Sequence, residues 1–164
     1  MPRIAIVFGL VFACASISVG ARVWSASQDM PAGTGKDTTV RLCKNCHPLE
    51  RVVAVRRSNK EWIAMVEKML AQGAEGKADE FNEAIDYLTD HYGKPVAMNT
   101  ATADEIIDGL GLDEADAKAI VAYRTGHPPF ATWKDVAAVP DVDATWIERR
   151  QKNLTFGSVT SLLR

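Results

Sequence analysis

Cys43-Lys44-Asn45-Cys46-His47 is the stretch on which the fold of this 164-residue chain turns. It holds two of the three cysteines and one of the three histidines. On an α-helix the positions i, i+3 and i+4 share one face, so the spacing predicts that both thiols and the imidazole point at a single flat object. Around it, 47% apolar and 24% charged residues are the balance of an ordinary soluble globular chain, which excludes a disordered or fibrous one. A formal net charge of −2 removes any whole-chain electrostatic argument for binding nucleic acid or anionic lipid. The remaining cysteine, Cys14, stands far off in an apolar N-terminal run, and three cysteines are too few for a disulfide framework.

The pattern C-x-x-C-H is the attachment motif of c-type haem, so one covalently bound haem c is expected here. The sulfurs of Cys43 and Cys46 would add to the haem vinyl groups, and His47 would ligate iron from the proximal side. Two competitors fit less well. A zinc site needs further ligands, but the other histidines are His91 and His127 and there is no second cysteine pair. A thioredoxin-like pair belongs at the end of a strand in a βαβ unit, whereas this neighbourhood has helical periodicity.

The N-terminus supports export. Met1-Pro2-Arg3 precedes an apolar run from Ile4 to Gly20, followed by small and polar residues to Ser27. That is the layout of a signal peptide over residues 1–27, with Val19-Gly20-Ala21 as a cleavage site. Uncleaved, the same segment would be a membrane anchor, although it is just short of the roughly 18–20 apolar residues that a spanning helix needs. Val11-Phe12-Ala13-Cys14 fits a lipoprotein box poorly because of Phe12. An exported, periplasmic location is expected, with residues 28–36 as a linker.

The iron's sixth position is sought next. Ser58-Asn59-Lys60-Glu61 has the form of a capping box and predicts a helix from Asn59, ended by Gly73. Trp62, Met65, Val66, Met69 and Leu70 are its apolar face. A second helix is expected from Ala78 to His91, with Gly93 as its stop. Met65 and Met69, four apart, share a face, and Met69 near the helix end is the expected distal ligand, with Met65 or an open position as alternatives. Trp62 is expected to cover the porphyrin, and Arg57 or Arg56 to neutralise a propionate. The stretch from Cys43 to Tyr92 resembles small c-type cytochrome domains with a W-x-x-x-V-x-x-M-x-x-x-G signature, here Trp62 to Gly73. The resemblance implies a haem domain over residues 37–93 that carries single electrons to a redox partner protein and is not an enzyme. A domain near 60 residues buries only about 60% of its surface, so a porphyrin would complete its core.

After Gly93-Lys94-Pro95 the pattern changes. Thr102-Ala103-Asp104-Glu105 is a second capping box, opening a short helix that stops at Gly109-Leu110-Gly111, and Asp113 caps a longer one ending at Gly126. After His127-Pro128-Pro129-Phe130 the pattern recurs: Thr132 caps a short helix, Pro140 to Asp143 turns, and a last helix carries Trp146, Ile147 and Arg150. Asn99 to Thr102, Gly109 to Gly111, the Ala117, Ile120 and Arg124 triplet and Pro129-Phe130 resemble the tandem helix-hairpin-helix domain of the ComEA competence DNA receptors. That resemblance implies a module over residues 98–156, with 157–164 as a tail, and DNA contact through Gly109, Leu110 and Gly111. At the second hairpin, however, Asp141 and Asp143 replace the expected glycines. From Met98 onward seven cations face ten acids, which weakens any hold on phosphates. The expectation is therefore an all-α chain, a small cytochrome c-type haem domain followed by a helix-hairpin-helix domain that docks or scaffolds. A DNA-binding, DNA-uptake protein with an accessory haem domain is the alternative.

Overall fold

The computed structural model describes residues 30–157. The expected leader at 1–27 and the tail beyond Gly157 lie outside the described residues. The fold is all-α: eight helices and one two-stranded parallel sheet of two residues per strand, among the described residues.

The N-terminal half is built from α1 (Lys36–Cys43), α2 (Leu49–Val53), α3 (Asn59–Ala71) and α4 (Ala78–Tyr92). The capping box that announces α3 is formed: Ser58 Oγ accepts from the Glu61 amide at 3.2 Å and Glu61 accepts from the Ser58 amide at 2.7 Å. On α4 the buried positions Phe81, Ala84, Tyr87 and Leu88 recur at helical spacing and give the helix one inward face. Residues 30–35, expected as part of a linker, pack against that helix instead. Met30 is buried, and the Tyr87 hydroxyl donates to the Pro31 carbonyl at 2.7 Å. Gly35 sits at φ +87, where a Cβ would come within 2.7 Å of the Glu83 carbonyl, so a glycine is what brings α1 down onto α4.

The C-terminal half runs β1 (Val96–Ala97), α5 (Ala103–Leu110), α6 (Glu114–Gly126), α7 (Trp133–Ala137), α8 (Ala144–Arg150), a 3₁₀ turn (Gln151–Asn153) and β2 (Leu154–Thr155). Two helix-hairpin-helix units result, α5 with α6 and α7 with α8, each packed internally. Their ends are sewn together by β1 and β2, with Val96 opposite Leu154 and Ala97 opposite Thr155. Asn99 locks the join: its amide donates to the carbonyls of Phe130 and Phe156, both at 2.9 Å, and its oxygen accepts from the Phe130 amide at 2.8 Å. Ile106, Leu110, Ala117, Ile120, Val136 and Ile147 are wholly inaccessible at the centre of this half.

The two halves have separate apolar cores but a shared polar seam. Helix α3 packs on α5, and α4 on α8. Arg150 is fully buried in the seam and binds both sides. It donates from Nε to the Leu110 carbonyl at 2.9 Å and to the Asp86 carbonyl and carboxylate at 3.1 and 3.0 Å, and it ion-pairs with Asp90. Burial pulls its guanidinium down and Asp86 opposes that pull, which keeps the charge in place. Asn153 adds a bond to the Thr89 carbonyl at 2.6 Å. Gly93, expected as a simple helix stop, has an ordinary negative φ of −70. Its lack of a side chain matters for another reason: a Cβ there would stand 2.5 Å from the Asn153 amide nitrogen.

Candidate functional site

The N-terminal half encloses an apolar cavity between the α1–α2 turn, α3 and α4. It has two adjoining lobes of about 270 and 340 Å³, which share Cys43, His47, Val66, Met69 and Leu88 among their walls. The first lobe reaches Cys46, Leu42, Phe81 and Ala84. The second reaches Trp62, Arg57 and Met65. Of the residues that the sequence suggests for a haem, Cys43, Cys46, His47, Arg57, Trp62, Met65 and Met69 thus line these two lobes, and Arg56 lines neither. The two methionines differ in that Met69 borders both lobes and Met65 only the second.

One local expectation needs correction. Cys43, Cys46 and His47 do not share a helical face, because α1 ends at Cys43 and residues 44–46 form a turn. The Lys44 amide closes the last helical bond, donating to the Val40 carbonyl at 3.0 Å. The turn, not the helix, brings the imidazole to the cavity. His47 Nδ1 lies 3.4 Å from the Pro48 carbonyl, a long contact. A carbonyl can only accept, so the tautomer with its proton on Nδ1 is the one that can use this contact, and that tautomer offers its Nε2 lone pair to a metal.

Burial, reinforced by the neighbouring Cys46, pushes the Cys43 thiol up to about 11. A redox pair of the thioredoxin kind needs the opposite shift, toward the thiolate. Among the described residues no group of three His, Cys, Asp or Glu is arranged to hold a metal ion by itself, so a zinc site of protein ligands alone has no shell.

Trp62 borders the second lobe. It is 1% exposed, and its indole Nε1–H is buried with no acceptor. The Arg57 guanidinium lies 4.9 Å above the same ring. Arg56, by contrast, is committed to the Gly93 carbonyl at 3.0 Å. A buried donor without a partner is costly, and one beside a cation asks for an anionic acceptor. Two thiols, an imidazole, a thioether and the Arg57 guanidinium on otherwise apolar walls fit a haem with its propionates.

The hairpins of the C-terminal half have a different environment from that of a phosphate grip. Gly109 is buried against Val96, and Leu110 is inaccessible, its carbonyl taken by Arg150. Gly111 has the left-handed φ of +71, and a Cβ there would meet the Asn59 side chain of α3 at 2.7 Å. The first hairpin therefore rests on the N-terminal half. At the second, Asp141 holds φ +65, a conformation Asp tolerates better than most residues. Asp143 accepts from the amides of Thr145 and Trp146 at 2.9 and 3.2 Å, satisfying the N–H groups a phosphate would use. Asp113, Asp116 and Asp143 surround a recess of about 210 Å³ beside Trp146.

The seam built on Arg150, Asp86 and Asp90 has no counterpart in the sequence reading. A basic pair at the end of a helix is the commonest complement to the helix dipole, and nothing in Arg149-Arg150 marks the second arginine as buried. No curated protein and no solved structure matches the chain. Residues 92–163 match the helix-hairpin-helix motif family, which agrees with the two units seen from α5 to α8.

Proposed function

We propose that the chain is an exported monohaem c-type cytochrome that carries single electrons, with its helix-hairpin-helix half serving as a rigid scaffold. The observation that carries this reading is the cavity on which Cys43, Cys46, His47 and Met69 converge, with Arg57 also on its wall. Cys43 and Cys46 would hold haem c covalently, His47 Nε2 would be the proximal ligand and Met69 the distal one. Bound there, the haem would supply reversible one-electron chemistry. The chain's part is to exclude water with Val66, Phe81 and Leu88 and to neutralise a propionate with Arg57. A closed iron leaves no position for substrate, which favours a carrier over an enzyme.

Helix-hairpin-helix motifs are compatible with DNA binding or with scaffolding. The coverage of the first hairpin by Asn59, the Asp143 carboxylate at the second and the acidic balance of this half all favour scaffolding.

A reduced-minus-oxidised visible spectrum of matured protein tests the proposal. Sharp haem bands are expected, with pigment that stays on the polypeptide after denaturation and is lost in Cys43→Ser/Cys46→Ser. Met69→Ala should abolish the methionine-to-iron band while Met65→Ala keeps it. Colourless protein whose two thiols both alkylate would overturn it.

A further inference from the structure

Residues 30–35 belong to no helix or strand, yet they lie along α4 as a strap with a histidine beneath it. Met30 is buried in the apolar cluster that contains Trp62, Tyr87 and Leu88, and the Tyr87 hydroxyl donates to the Pro31 carbonyl. A Cβ on Gly33 would stand 2.9 Å from His91 Nε2 and 3.9 Å from Tyr87 Cε2, so the strap's backbone rests against the imidazole. Its other end runs into α1, where the Gly33 carbonyl accepts from the Lys36 amide at 3.2 Å and the Gly35 carbonyl from the Thr39 amide at 2.8 Å. The beginning of α1 is thus the hinge on which the strap would lift.

The place under the strap suits a neutral imidazole and not a cation. His91 Nδ1 is buried with no hydrogen-bond partner among the described residues, and the Tyr87 ring packs on it at 4.5 Å between centres. Residues 30–35 carry no ionisable side chain. Along α4 the nearby acids are engaged elsewhere: Asp86 and Asp90 hold Arg149 and Arg150, and Glu83 accepts from the Thr38 hydroxyl at 2.7 Å. Helix α1 meets α4 through that Thr38 bond and the Arg41–Glu80 pair, both further back along the helix. Tyr87 and Tyr92, pushed up by burial, stay neutral. The one charge that acts on the ring is Lys152 of the 3₁₀ turn, which adds to burial in opposing protonation. We propose that His91 is a pH-operated latch, whose protonation drives residues 30–35 off α4 while the rest of the fold stays closed. An imidazolium under the strap is a buried cation without an acid, and lifting this short segment gives it water. Release also takes Met30 out of the cluster it shares with Trp62 and Leu88, both on the wall of the second lobe, so acid loosens that wall. The latch does not rest on the haem reading.

Met30, 2% exposed, is a built-in probe, and Met98, wholly inaccessible in the C-terminal core, is its reference. Tert-butyl hydroperoxide transfers one oxygen atom to an accessible thioether and leaves as the alcohol, and mass spectrometry of the full chain reads the sulfoxide at each methionine. From about pH 7.5 to about pH 5.5 the Met30 rate should rise several-fold, each pH unit below the ordinary imidazole value of 6.5 contributing up to about tenfold, while Met98 stays protected. The rise should share its midpoint with the His91 ring in a proton NMR titration and vanish in His91→Gln. A Met30 rate that ignores pH, a rise that persists in His91→Gln, or one that Met98 follows in step overturns the latch. If His91→Gln exposes Met30 at every pH, the wild-type midpoint decides: agreement with the His91 titration supports the latch and disagreement overturns it.

Discussion

The two halves of the chain bury apolar surface in opposite ways. From Val96 to Leu154 thirteen apolar residues close on one another in a continuous core, and the family match falls on this half. In the N-terminal half only Met30, Leu49, Trp62, Tyr87 and Leu88 form a buried cluster, and beside it lies the two-lobed cavity. One half fills its own core; the other leaves an apolar cavity beside a smaller one. The difference teaches that an apolar cavity in so small a unit is a costly feature unless a ligand fills it, because cavity walls forfeit packing contacts.

Separating the halves at their seam should have the largest effect. Arg150→Ala removes a fully buried cation while Asp86 and Asp90 remain, an expected loss of about 3–5 kcal/mol. Denaturant unfolding, cooperative in the wild type, should then split into two transitions. The contrast in packing is tested next by matched truncations. Ile120→Ala in the closed core should cost about 2–5 kcal/mol, whereas Val66→Ala on the cavity wall of haem-free protein should cost less than about 1 kcal/mol. Adding the haem should raise the second cost toward the first. Equal costs without it would mean that the cavity is not a void in the fold.

A smaller and symmetrical effect concerns the helix caps. Ser58→Ala and Thr102→Ala remove the same capping box from α3 and α5, so each should lose about 1 kcal/mol in urea titrations. The smallest effect is confined to the N-terminal half. Burial, aided by Lys152, holds the His91 imidazole below its ordinary value of 6.5, against Tyr87 at 4.5 Å between ring centres and with Nδ1 buried and unpartnered. The unfolded chain therefore binds this proton more readily. The contribution of His91 is complete above pH 6.5 and is lost as pH falls below that value. Comparing stability against pH for wild type and His91→Gln should show the wild type losing more between neutrality and mildly acidic pH.

Local chemistry was legible wherever neighbours in the chain do the work. The capping boxes at Ser58 and Thr102, the Asp113 cap and the left-handed stop at Gly111 depend on residues three or four apart, and all stand where the pattern places them. Periodicity placed Trp62, Met65, Val66 and Met69 on the inward side of α3 but also Leu70, which is exposed at the helix end, and it extended α1 past Cys43, since i, i+3, i+4 spacing cannot tell a helix from the turn that follows it. Residues 30–35, Met-Pro-Ala-Gly-Thr-Gly, read as a linker because Gly, Pro and small residues dominate them, and only the burial of Met30 and the Tyr87 contact show them packed.

The residues of the candidate site were picked out by sequence alone, since two thiols and an imidazole at fixed spacing need no fold to be noticed. What they face was decided by tertiary structure: the cavity exists because α3 and α4, distant in the chain from Cys43, stand around the turn that carries His47. The same holds for the hairpin glycines. Gly109 and Gly111 have the same local conformational freedom in a DNA grip and in a packing joint, and it is the arrival of Val96 and Asn59 that makes them a joint. Short-range propensities act within a few residues, whereas burial depends on which distant surfaces meet, and that information is carried by the whole chain at once.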